Sequence, residues 1–217
     1  DLVMDEEISI IDTSTRNEKI RNFFINNKKN ILLVIIIIIF LLIGYFLYGE
    51  IKKRGNIKIA NEYNSTLIDY DLVDKSKTVG QLTDLVNKKN KTYSPLALYF
   101  LIDNNLIKDK EKINILFDVL IEKTNLETEI KNLVIYKKTL YNSNDLNEIE
   151  LIKTLDPIIN SKSIWKSHAL YLIAEYFYSR DEKNKAKEFF LQIQFVENAN
   201  SEIKLEAKKR LNRDFSE

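Results

Sequence analysis

The sequence predicts an all-α protein: one membrane-spanning helix near the N-terminus, then a solenoid of antiparallel helix pairs. Three observations carry this. Residues 31–48 form an uncharged apolar run. Beyond it, apolar residues recur at helical spacing in every segment. Glycine and proline number only 4 and 2 in 217 residues, which leaves little for the tight turns of a sheet.

The apolar run is 18 residues long, Ile-Leu-Leu-Val-Ile-Ile-Ile-Ile-Ile-Phe-Leu-Leu-Ile-Gly-Tyr-Phe-Leu-Tyr. As a helix it covers about 27 Å, close to the hydrocarbon thickness of a bilayer. Lipid obliges the backbone to satisfy its own hydrogen bonds, so an isoleucine-rich run becomes helical there despite modest helix propensity in water. Phe23, Phe24, Tyr45, Phe46 and Tyr48 flank or close it as interfacial aromatics do. A cleaved signal peptide would have a shorter apolar region and a small-residue cleavage site. The predicted organisation is a polar cytoplasmic leader over 1–30, the transmembrane helix over 31–48 and a helical domain over 49–217. The chain opens on Asp1, and Met4 is read as a candidate initiator.

Five basic residues (Arg16, Lys19, Arg21, Lys28, Lys29) precede the run, and Lys52, Lys53, Arg54 and Lys58 follow it. Charge therefore favours a cytoplasmic N-terminus only slightly. Thr15 and Glu18 match a capping box, so a short helix is expected to start at Thr15 and run to the membrane.

Downstream, helices are expected over 57–70, 79–86, 93–104, 108–122, 126–141, 145–155, 163–178, 181–196 and 201–212. Pro95 falls in a first helical turn and Pro157 between two helices, where neither does harm. The pairs repeat. Ala97-Leu98, Leu133-Val134 and Ala169-Leu170 are spaced by 36 residues, and Tyr63, Tyr99, Ile135, Tyr171 and Ala207 follow the same step. Two helices per mid-thirties period is the mark of a helical solenoid. The competing reading is a plain bundle whose similar helix lengths mimic a repeat.

Catalytic and cofactor chemistry has little to stand on. There is no cysteine and one histidine, His168, which excludes disulfides and thiol chemistry. The four glycines cannot build a phosphate-binding loop. Carboxylates two apart, such as Glu148 and Glu150, do not share a helix face. With 33 basic and 32 acidic residues, there is no basic excess for nucleic acid. The reading is a non-enzymatic protein with no metal, cofactor, nucleic acid or small-molecule substrate.

The last pair resembles a tetratricopeptide repeat. Leu170, Ile173, Ala174 and Phe177 fill the pattern of its first helix, and Ala186 and Phe190 that of its second, with Ile193 where a small residue is usual. Ala174 and Ala186 allow close helix approach, and the two phenylalanines fill the space beside them. The pair with Ala97, Leu98, Leu101, Ile113, Phe117 and Leu120 is a degenerate version.

The layout as a whole, from Glu18 through Phe190, resembles the YfgM-like family of bacterial inner-membrane proteins, ancillary subunits of the Sec translocon. The resemblance implies a single-pass protein with a cytoplasmic N-terminus and a periplasmic tetratricopeptide-like domain. It implies partners among the translocon, periplasmic chaperones and emerging polypeptides. Alternatives with the same architecture are an envelope-assembly or cell-division factor and a cytosol-facing membrane receptor. Carried over from the tetratricopeptide repeat family, the partner-binding concave wall comprises His168, Tyr171, Glu175 and Tyr178 in the last repeat and Tyr99 and Asp103 earlier. Tyrosines give wide contact area at small entropic cost; the alternative is that they pack between helices. Tetratricopeptide repeats that grip a chaperone's C-terminal carboxylate use Lys, Arg and Asn on this wall; here Tyr and Glu stand instead, so that clamp is not expected.

Overall fold

The computed structural model describes residues 2–71 and 75–215, with side chains described from Glu18 onward except at Asp71. Among them are nine α-helices and no strand. Helix α1 is Leu2–Ile68, followed by a short 3-10 turn at Asp69–Asp71. Then come α2 (Lys75–Asn87), α3 (Tyr93–Asp103), α4 (Lys110–Lys123), α5 (Thr128–Asn142), α6 (Glu148–Ile159), α7 (Lys166–Ser179), α8 (Lys183–Gln194) and α9 (Ser201–Asp214). The chain divides into two compact units, Asp1–Ile57 and Lys58–Glu217.

The first unit is helix alone. It contains the one helix among the described residues long and apolar enough to cross a membrane, and none of that apolar window is buried. From Leu32 to Tyr48 every side chain faces outward, with Phe40 at 70% and Tyr45 at 74% exposure. A globular protein does not leave a continuous apolar cylinder in water. Two expectations differ here. The helix passes through Thr15 from Leu2 rather than starting there. Polar flanks and apolar centre are one uninterrupted helix that runs on to Ile68 through Gly44, Gly49 and Gly55, with no proline to break it.

The second unit holds two apolar clusters. One is built from α2 to α5 around Leu82, Leu85, Leu98, Leu101, Phe117 and Leu120, with Tyr63 and Leu67 packed against it. The other runs from α5 to α9 around Leu151, Leu155, Ile173, Phe177, Phe190 and Ala207. They meet on α5, where Val134 belongs to the first and Ile135 to the second. From α2 to α9 each helix touches the next in the chain and, for α2 with α4, α5 with α7 and α7 with α9, the next but one. All seven repeat-like positions of α7 and α8, from Leu170 to Ile193, are buried. Burying a side chain such as Phe177 or Phe190 contributes roughly 1.5–3 kcal/mol.

The scarcity of glycine is met by other residues at the turns. Lys89, Asn105 and Asp181 adopt positive φ of 55°, 50° and 62° just past α2, α3 and α7. After α3, Leu106 N–H donates to the Leu101 carbonyl and Asn105 N–H to that of Ile102, both at 2.9 Å. After α7, Glu182 and Asp181 close the same pair of bonds onto Phe177 and Tyr178. These are Schellman closures, which reverse the chain within a few residues. At helix starts, Asp109 and Asn200 accept from two backbone N–H groups each, and Asn147 forms a reciprocal capping box with Glu150. Pro157 lies inside the last turn of α6 rather than between helices. Pro157 is exposed, and α6 ends two residues later at Ile159, so only one backbone bond is forgone.

Candidate functional site

Tyr99 and Asp103 lie four apart on α3 and so share a face. They line one cavity of about 170 Å³, together with Phe117 from α4 and Lys137, Leu140 and Tyr141 from α5. The walls are largely aromatic and aliphatic: the Phe117 and Tyr141 rings sit 6.2 Å apart, and Leu140 is 47% exposed at the edge. Lys137 places its ammonium 4.6 Å from the centre of the Tyr99 ring, a cation–π contact. The Tyr99 phenol oxygen is buried and has no hydrogen-bond partner among the described residues. Burial pushes its pKa well above the ordinary value of 10.0, so it stays a neutral donor.

The four wall residues of α7 are spaced 3, 4 and 3 apart and also share a face. They meet different neighbours. His168 sits against Trp165 and Tyr136, at ring separations of 5.1 and 5.9 Å, and its Nδ1 is buried without a hydrogen-bond partner among the described residues. Tyr171 packs edge-on to Phe190 at 5.4 Å. Its pKa is pushed up to about 12, chiefly by burial and then by the Glu175 carboxylate, with Arg210 opposing. Both carboxylate oxygens of Glu175 accept from Arg210 of α9 at 2.8 Å. The same guanidinium lies 4.0 Å from the Tyr178 ring, and Phe215 meets Tyr178 edge-on at 5.9 Å. Glu175 and Tyr178 are thus occupied by the chain's own terminal helix. Tyr99 and Asp103 come together at an open cavity; the α7 residues are drawn into packing and an ion pair.

The α5 side of the cavity was not anticipated, since the middle pair carries almost no repeat-family residues. The signal present was helical spacing: Lys137, Leu140 and Tyr141 lie three and four apart. Arg210 was hidden in a charge-rich helix whose single buried residue is Ala207. A larger cavity of about 410 Å³ opens between the α6–α7 and α8–α9 connections, with Lys162, Lys166, Gln192 and Phe195 in its lining. Its buried Ser163 is already committed, donating to Glu129 at 2.8 Å. No group of three His, Asp or Glu side chains that could hold a metal occurs among the described residues.

Fold and site together define an all-helical protein with one membrane-length helix and a packed helical unit bearing a small, mainly apolar cavity. No protein-family model, curated protein or solved structure matches the chain.

Proposed function

We propose that this protein is a membrane-anchored, non-enzymatic scaffold whose helical unit is a tetratricopeptide-like solenoid that binds other proteins. The observation that carries this is the fully exposed apolar helix joined in one chain to a packed helical unit with a cavity lined by Tyr99, Lys137 and Asp103. Contacts between near neighbours in the chain support the solenoid reading. So do long-range polar contacts that span about one period: Glu129–Ser163 at 34 residues, Lys110–Asp145 and Glu175–Arg210 at 35, and Glu148–Lys185 at 37. Anchoring raises the local concentration of the unit beside membrane partners, so weak individual contacts suffice.

Within this reading, the resemblance to the YfgM-like family supports a periplasmic helical unit working beside the Sec translocon and periplasmic chaperones. A photo-crosslinking residue at Asp103, in living cells, should capture export machinery, chaperones or chains in transit. Capture of cytosolic proteins alone would overturn the export reading, and protease accessibility in spheroplasts decides the side independently.

A further inference from the structure

We propose that the Tyr99 cavity is a subsite for one Leu- or Phe-sized side chain of an extended, uncharged polypeptide segment. The inference rests on the protein-binding reading above and names what the site takes. Size comes first. A cavity of about 170 Å³ is close to the roughly 150 Å³ apolar cavity that admits benzene, so one ring or branched aliphatic group fills it. Phe117, Leu140 and Tyr141 supply the apolar wall such a group needs.

The polar groups select the backbone around that side chain. Lys137 and Asp103 line the same cavity, yet neither makes an ion pair among the described residues, with each other or with any neighbour. By contrast Lys110, Lys138 and Lys185 all find carboxylates. Among the described residues the cavity therefore presents a cation engaged only by the Tyr99 ring and an anion without an ion-pair partner. A free carboxylate or an ammonium would satisfy one charge and be repelled by the other. A peptide backbone carries one acceptor and one donor per residue, which matches both without net charge. Leu140, half exposed at the rim, is where an incoming chain first meets apolar surface.

The test uses the full chain in lipid nanodiscs and a Ser/Gly peptide, blocked at both ends, with a single photo-leucine at its centre. Irradiation should label Tyr99, Ile102, Leu140 or Tyr141. Blocked competitors with Leu or Phe at the centre should suppress labelling at roughly tenfold lower concentration than those with Ala or Glu. Leu140→Glu, at a side chain that is not part of the core, should cut labelling about tenfold, while Ile149→Glu on the exposed face of α6 should leave it unchanged. Labelling centred on Phe195 or Ile149, or insensitive to Leu140→Glu, would overturn the subsite but not protein binding. Tighter competition by the same peptide with a free C-terminal carboxylate would overturn the uncharged-backbone assignment. No protein labelling at all would overturn both.

Discussion

His168 and Arg210 show how much a single side chain decides in this protein. Burial against Trp165 and Tyr136 pushes the His168 imidazole below its ordinary value of 6.5. The unfolded chain therefore takes up this proton at higher pH than the folded one, so protonation favours unfolding. The contribution is intact above pH about 6.5 and is lost as pH falls from there towards the lowered folded value. Thermal melts from pH 8 to pH 5 should show a fall in Tm over this window that His168→Phe flattens; equal slopes would mean that His168 is solvated. Arg210, with only 11% of its side chain exposed, ties α9 to Glu175 while lying over Tyr178. Arg210→Met should cost about 2 kcal/mol, below the 3–5 kcal/mol of a fully buried pair because Glu175 stays partly hydrated. Arg210→Lys should recover little of it, since a point charge cannot grip both carboxylate oxygens. Denaturant midpoints check both.

Helix ends carry the next layer of specification. The Asn147–Glu150 capping box starts α6, and Leu146 before it packs against the same cluster as Leu151 within it. Asn147→Ala should destabilise by about 1 kcal/mol. Two substitutions should act the other way. Gly80 sits on an exposed turn of α2 with open space where a Cβ would go, so Gly80→Ala should stabilise by about 0.8 kcal/mol. Lys89 holds a left-handed conformation that glycine adopts without steric cost, so Lys89→Gly should add a few tenths to about 1 kcal/mol. A chemical-denaturation series on the three variants gives the signs. If Lys89→Gly destabilises, the turn after α2 is not the left-handed closure described.

At the scale of the whole molecule, the anchor proposal is quantitative. Fifteen Ile, Leu, Val and Phe residues in 31–48, at about −0.3 to −0.6 kcal/mol each, favour insertion by about 7 kcal/mol. One central arginine costs about 3 kcal/mol and should be tolerated, so Ile38→Arg should stay in the membrane fraction after alkaline extraction. Arginines at Ile35, Ile38 and Leu42 together should release the chain. Release by the single change would mean that the helix is held by something weaker than a bilayer span.

Much of the architecture was legible because helical periodicity and membrane-length apolarity are local properties. The apolar run 31–48, the all-helical class and the order of helices from α2 to α9 follow from which residues recur every three or four positions. Scarce Gly and Pro likewise argued against a sheet, while the turn residues Lys89, Asn105 and Asp181 came only from the structure. What needed the tertiary structure is which shared faces remain open. Tyr99 and Tyr178 read alike in sequence, as tyrosines on an inward helical stripe. Only packing reveals that Arg210 and Phe215, more than thirty residues beyond Tyr178, cover one of them. Lys137 and Leu140, on a helix with no repeat signature, complete a cavity at the other. Burial and pairing depend on neighbours remote in the chain, and no local pattern encodes them.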